Sequence, residues 1–131
     1  MSKYLTFTDI IFKDRKLLLA ALASIGFDKV EEGERLTLYG YRGDARRQKA
    51  EIVIRRQYLS AASNDIGFAK TKDSYIPIIS DYDRYYVMEG QFLTKLRTAY
   101  NEHVAEAVRQ RLRGRMTRIE EKGVIKIKIA Y

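Results

Sequence analysis

Cysteine is absent from the 131 residues, and tryptophan with it. Without a thiol there is no disulfide, no thiolate zinc site, no iron–sulfur cluster and no cysteine nucleophile. A single histidine, His103, rules out a multi-histidine metal centre, and any Ser-His-Asp arrangement would have to use it. There is one proline, Pro77, and no Pro-Gly-Ser stretch or low-complexity tract to separate domains. No apolar run approaches the roughly 18 residues of a membrane span, the longest being Leu17–Ala23. The first ten residues, MSKYLTFTDI, lack a signal-peptide apolar core and cleavage site. These absences predict a single domain over residues 1–131, cytoplasmic, off the membrane and without a cofactor or bound metal.

What the chain has is positive charge and β-forming residues. The net charge is +8. Residues 1–65 carry 12 basic and 9 acidic side chains and residues 66–131 carry 13 and 8, so the charge belongs to the body and not to a tail. Such a field attracts anionic partners and also keeps a protein in solution.

The apolar pattern gives the order of elements. Lys3–Phe12 alternates like a strand. Leu17, Leu18, Ala21, Leu22 and Ile25 then recur at helical spacing, with Asp14 in the first turn and Gly26 at the end. Phe27–Glu31, Arg35–Tyr41 and Ala50–Arg56 read as strands, the last two as a hairpin. Asp65–Lys70 and Ser74–Ser80 form a second hairpin, whose Pro77 predicts an edge or a bulge. Asp81–Met88 has no clear period. Glu89–Arg113 is a long helix with Phe92, Leu93, Leu96, Tyr100, Val104, Val108 and Leu112 on one stripe, stopping at Gly114. Arg115–Glu121 and Val124–Tyr131 read as a last hairpin. The prediction is an α+β fold in the order β-α-β-β-β-β-β-α-β-β, with two main helices on one face of a mostly antiparallel sheet.

An ordered set of short motifs carries a family resemblance: Gly40-Tyr41-Arg42-Gly43, Ala50-Glu51-Ile52-Val53-Ile54, Asp65-Ile66-Gly67-Phe68, the strand from Tyr75 to Asp81, and Phe92-Leu93 with Tyr100. Over nearly its whole length the chain resembles the hypothetical chloroplast open reading frame thirty-five family, a domain of unknown function found in cyanobacteria, plastids and other bacteria. The resemblance implies a protein partner, an AAA+-type ATPase, and supplies no catalytic residues. The basic loop 46–49 and the Arg-rich segment 109–118 depart from the family's usual pattern.

Five groups of residues are candidates for function. Arg42, Arg46, Arg47 and Lys49 follow a Gly-Tyr-Arg-Gly turn and suit an anion site or a solvated hairpin loop. No Walker loop or dinucleotide fingerprint accompanies them. Arg109, Arg111, Arg113, Arg115 and Arg118 have no acid among them; some would cap the expected helix end, and the group suits an anionic partner. Tyr39 and Tyr41 beside the basic loop could stack the bases of nucleic acid, or be half-buried sheet tyrosines. Asp65, Asp81 and Asp83 could hold metal in a hydrolase or nuclease, or serve turns. His103 lies at the edge of the apolar stripe without a partner for catalysis. The reading favoured is a non-catalytic basic adaptor; the alternative is the metal-dependent hydrolase.

Overall fold

The computed structural model describes residues 2–121, with side chains through Arg118. Among the described residues five antiparallel strands form one sheet in the order β1-β5-β4-β3-β2. They are β1 (Tyr4–Thr6), β2 (Glu31–Tyr39), β3 (Ala45–Ile54), β4 (Ile66–Thr71) and β5 (Ser74–Ser80). Helix α1 (Arg15–Ser24) follows β1, and α2 (Asp81–Tyr86) and α3 (Phe92–Glu121) follow β5. The expected α+β architecture, with two main helices on one sheet face, is what the chain adopts. Residues Val124–Tyr131, expected as a last strand, lie outside the described residues.

The helix-covered face is the larger core. Ile52, Ile54, Ile66, Phe68 and Ile79 of the sheet meet Leu18, Ala21 and Leu22 of α1 and Phe92, Leu96, Ala99 and Tyr100 of α3. Asp14 caps α1, its carboxylate accepting from the Leu17 amide at 3.0 Å. Gly26, at φ 105°, takes the left-handed turn that ends it. The two helices are tied at their crossing, where the Tyr100 hydroxyl accepts from the amides of Lys13 and Asp14 at 3.1 and 2.9 Å.

Sequence and structure differ at several places. The strand expected over Phe27–Glu31 is paired only at Glu31, the first residue of β2, and β3 begins at Ala45, so that Arg46, Arg47 and Lys49 stand on a strand and not in a loop. Of the strand expected over Lys3–Phe12, only Tyr4–Thr6 pairs continuously, with one further bridge from Phe12 to Tyr75. Pro77 is not on an edge strand, because β5 lies between β1 and β4. Its carbonyl accepts from Phe7 just past the end of β1, so its own missing N–H faces the place where pairing stops. The strand expected over Arg115–Glu121 is a continuation of α3. Gly114 costs a helix interior about 1 kcal/mol, but strong helix formers (Arg111, Leu112, Arg113, Arg115, Met116) surround it and no proline intervenes.

The second face of the sheet is closed by its own hairpin. Gly33–Arg35 of β2 bulge opposite Glu51, with Arg35 at φ 50°. The Glu51 carboxylate spans this bend, accepting from the Arg35 amide at 3.2 Å and the Lys70 amide at 2.7 Å. Beyond the bend the hairpin curls back, and Leu38 and Ala50 turn onto Gly67 of β4. A Cβ at position 67 would stand 2.7 Å from the Ala50 Cβ, so only glycine admits the approach. Tyr4, Leu38, Ala50, Val53 and Ile78 are thereby buried as a second core, with no helix residue in the cluster among the described residues.

Candidate functional site

The curled hairpin is held by polar groups, and these account for much of what the sequence offers as chemistry. The Asp65 amide donates to the Tyr39 carbonyl at 2.9 Å, and its carboxylate accepts from the amides of Tyr39 and Arg56, both at 2.8 Å. Arg55 completes the seam, donating to Asp65 and the Thr37 carbonyl at 2.7 Å and to Glu31 at 2.7 Å. Glu31's hydrogen bond, then that of Asp65, raises the Arg55 pKa against the opposing effect of burial; the same bond from Arg55 lowers that of Glu31. The Tyr4 hydroxyl reaches the seam from the far edge of the sheet, donating to the Asp65 carbonyl at 2.7 Å. Burial first, and the Asp65 charge second, push its pKa upward.

The three candidate metal ligands serve different partners. Asp65 belongs to this seam. Asp83 is fully buried; one of its oxygens accepts from the Ser80 hydroxyl at 2.8 Å and from the Asn64 amide at 2.9 Å, while the other has no partner among the described residues. Asp81 is exposed and accepts from the amides of Lys3 and Tyr82. Among the described residues no three histidine, aspartate or glutamate side chains are grouped to hold a metal ion. His103 is half-buried on α3.

The basic loop disperses. Arg46 lies over the Tyr4 ring, 5.0 Å from its centroid, donates to the Ser2 carbonyl, and stands 3.7 Å from Asp44. It is part of the second core's lid. Lys49 donates to the Thr37 hydroxyl at 2.7 Å. Arg42 is exposed over the Tyr41 ring at 5.3 Å, and Arg47 is exposed in the β3 bulge opposite Leu38. Tyr41 is half-buried with its amide on Asn64, whereas Tyr39 is 40% exposed.

The arginines of α3 stay outside. Val104 is the last α3 residue packed on the core among those described, and the helix continues to Glu121, about 25 Å further at 1.5 Å per residue. On this projecting arm Glu106 is paired with Arg109 at 2.8 Å and Arg113 at 3.2 Å. The hydrogen bond from Arg109 is the main cause of its lowered pKa. Arg111, Arg115 and Arg118 meet no carboxylate among the described side chains, and all are exposed. At 100° per residue they share one azimuth, continuing the side of the helix on which Leu93, Tyr100 and Val104 face the core. The arm therefore keeps the core-facing direction but replaces apolar side chains with a line of guanidiniums about 10 Å long. The sequence hid this stripe, because a helix stop at Gly114 divides it.

A second exposed feature escaped the sequence reading. Tyr39 and Tyr58 line a cleft of about 790 Å³ together with Lys29, Glu31, Arg55 and Gln57. These residues come from three separate segments, so no local pattern marks them.

No described helix is long and apolar enough to cross a membrane. No curated protein and no solved structure matches the chain. A family model described as a protein of unknown function, DUF1257, matches residues 21–127, which take in the sheet from β2 onward and all of α2 and α3. The chain belongs to this family of unknown function, DUF1257.

Proposed function

We propose that the chain is a non-catalytic basic binding module, a cytoplasmic adaptor that docks on an acidic partner surface through the projecting half of α3. One observation carries the reading: Arg111, Arg115 and Arg118 form a single exposed line without described carboxylate partners, beside Arg109 and Arg113, which share Glu106. Guanidiniums so placed favour carboxylate or phosphate, because each can make paired hydrogen bonds with either. The family resemblance points to a protein partner, an AAA+-type ATPase. Nucleic acid answers to the same chemistry and is separated by the test. The alternative, a hydrolase built on Asp65, Asp81 and Asp83, draws no support from carboxylates that hold a hairpin seam, a buried serine and two backbone amides.

The test is capture of partners from lysate with and without nuclease, followed by salt titration of the purified complex. A protein partner survives nuclease and is lost with rising salt. The triple variant Arg111→Ala, Arg115→Ala, Arg118→Ala weakens binding at least tenfold. If the ligand is single-stranded nucleic acid, it also lowers the log–log salt slope by about 2. Binding that ignores salt, or a triple variant that binds like the parent, overturns the proposal.

A further inference from the structure

The cleft between Tyr39 and Tyr58 is built from a different observation than the arginine arm. Both rings are exposed, at 40% and 45%, yet both are carried on fixed backbone. Tyr39 exchanges two hydrogen bonds with Asp65 at the hairpin seam. Tyr58 closes a 3₁₀ turn, its amide donating to the Arg55 carbonyl at 3.0 Å. Each ring has a cation near its face, the Arg55 guanidinium 5.6 Å from Tyr39 and the Lys29 ammonium 5.6 Å from Tyr58. Arg55 is already neutralised by Glu31 and Asp65, which leaves Lys29 as the lining cation without a described carboxylate partner. Gln57, also exposed, lines the same cleft with a donor and an acceptor to offer.

We infer that this cleft takes a nucleobase with its phosphate: the base stacks on Tyr39 or Tyr58, the Gln57 carboxamide meets its edge, and Lys29 faces the phosphate. Aromatic platforms of this kind accept any base, because every base has a π-face, while the carboxamide adds an edge contact. The volume is ample for one nucleotide. The same chemistry is offered by a free nucleotide and by an unpaired base in a single strand.

The experiment compares three probes: a labelled single-stranded DNA of about twelve nucleotides, an abasic strand of equal length, and AMP. The chain has no tryptophan, so its intrinsic emission reports on tyrosine and reads AMP directly. The base-bearing strand is expected to bind about tenfold tighter than the abasic one. At least one of Tyr39→Ala and Tyr58→Ala removes most of that ratio and so marks the ring that carries the base, whereas Tyr39→Phe and Tyr58→Phe retain it, with circular dichroism melts showing that all four fold. Quenching by AMP, lost in the same alanine variant, assigns the site to free nucleotides; an inert AMP with a discriminated strand assigns it to an unpaired base. Equal binding of the two strands with no response to AMP overturns the inference, as does a ratio untouched by the alanine variants. Because the Arg111, Arg115 and Arg118 triple variant weakens both strands alike and leaves their ratio unchanged, loss of the arm and loss of the cleft are read separately.

Discussion

The β2–β3 hairpin, counted to Arg55 at its base, and the outer half of α3 carry five arginines each, and they put some of them to opposite uses. In the hairpin Arg46 is laid on Tyr4 beside Asp44, and at its base Arg55 is gripped by Glu31 and Asp65. On α3 the three arginines of one face reach past the last core contact. The guanidinium is the same in both. What differs is the reach of neighbouring acceptors, and that is set by whether the backbone curls over a core or runs straight away from it. A count of basic residues cannot tell these cases apart, whereas burial and pairing can.

Substitutions on the two sides should therefore divide cleanly between stability and binding. The largest expected effect is at the seam. Arg55→Ala leaves the buried Asp65 carboxylate without its cation and should cost roughly 3–5 kcal/mol, read from the urea midpoint. An unchanged midpoint would mean that the seam does not hold the hairpin. Gly67→Ala comes next. It drives a methyl into the Ala50 Cβ and should cost about 1–3 kcal/mol in the same assay.

A smaller effect carries a pH signature. Tyr4→Phe removes the bond to the Asp65 carbonyl and should cost about 1 kcal/mol at neutral pH. The Tyr4 phenol has a raised pKa in the folded state, so the unfolded chain loses this proton first as pH climbs. Its contribution is complete below about pH 10 and is lost as pH rises beyond it. Stability measured against alkaline pH should fall less steeply in the phenylalanine variant. The smallest effect belongs to the arm. The Arg111, Arg115 and Arg118 triple alanine variant should keep its melting behaviour to within about 0.5 kcal/mol, even as its anion affinity falls. A large loss of stability there would mean that the arm is packed, and would erase the contrast.

Much of this fold was legible because period and turn chemistry act locally. Leu18, Ala21 and Leu22 announce α1, and Ile52, Ile54, Ile66 and Phe68 announce the main core. The curl of the hairpin was not legible, since it depends on Gly67 meeting Ala50 and Leu38 from another strand. Arg46 consequently looked like a surface cation. The arginine stripe was visible as composition but not as geometry, because Gly114 reads as a stop and tertiary context decided otherwise. Tyr58 and Lys29 had no local signal; only the fold sets them beside Tyr39.

Helix α3 runs unbroken from Phe92 to Glu121, and the Tyr100 hydroxyl in its first third holds the amides at the mouth of α1. That makes it a lever with its fulcrum inside the protein. Force applied to the outer end passes through Tyr100 to Asp14, 86 residues before it in sequence, at the point where α1 begins. A partner that tugs the tip thus loads the opposite end of the chain, with Gly114 as the weakest link along the beam.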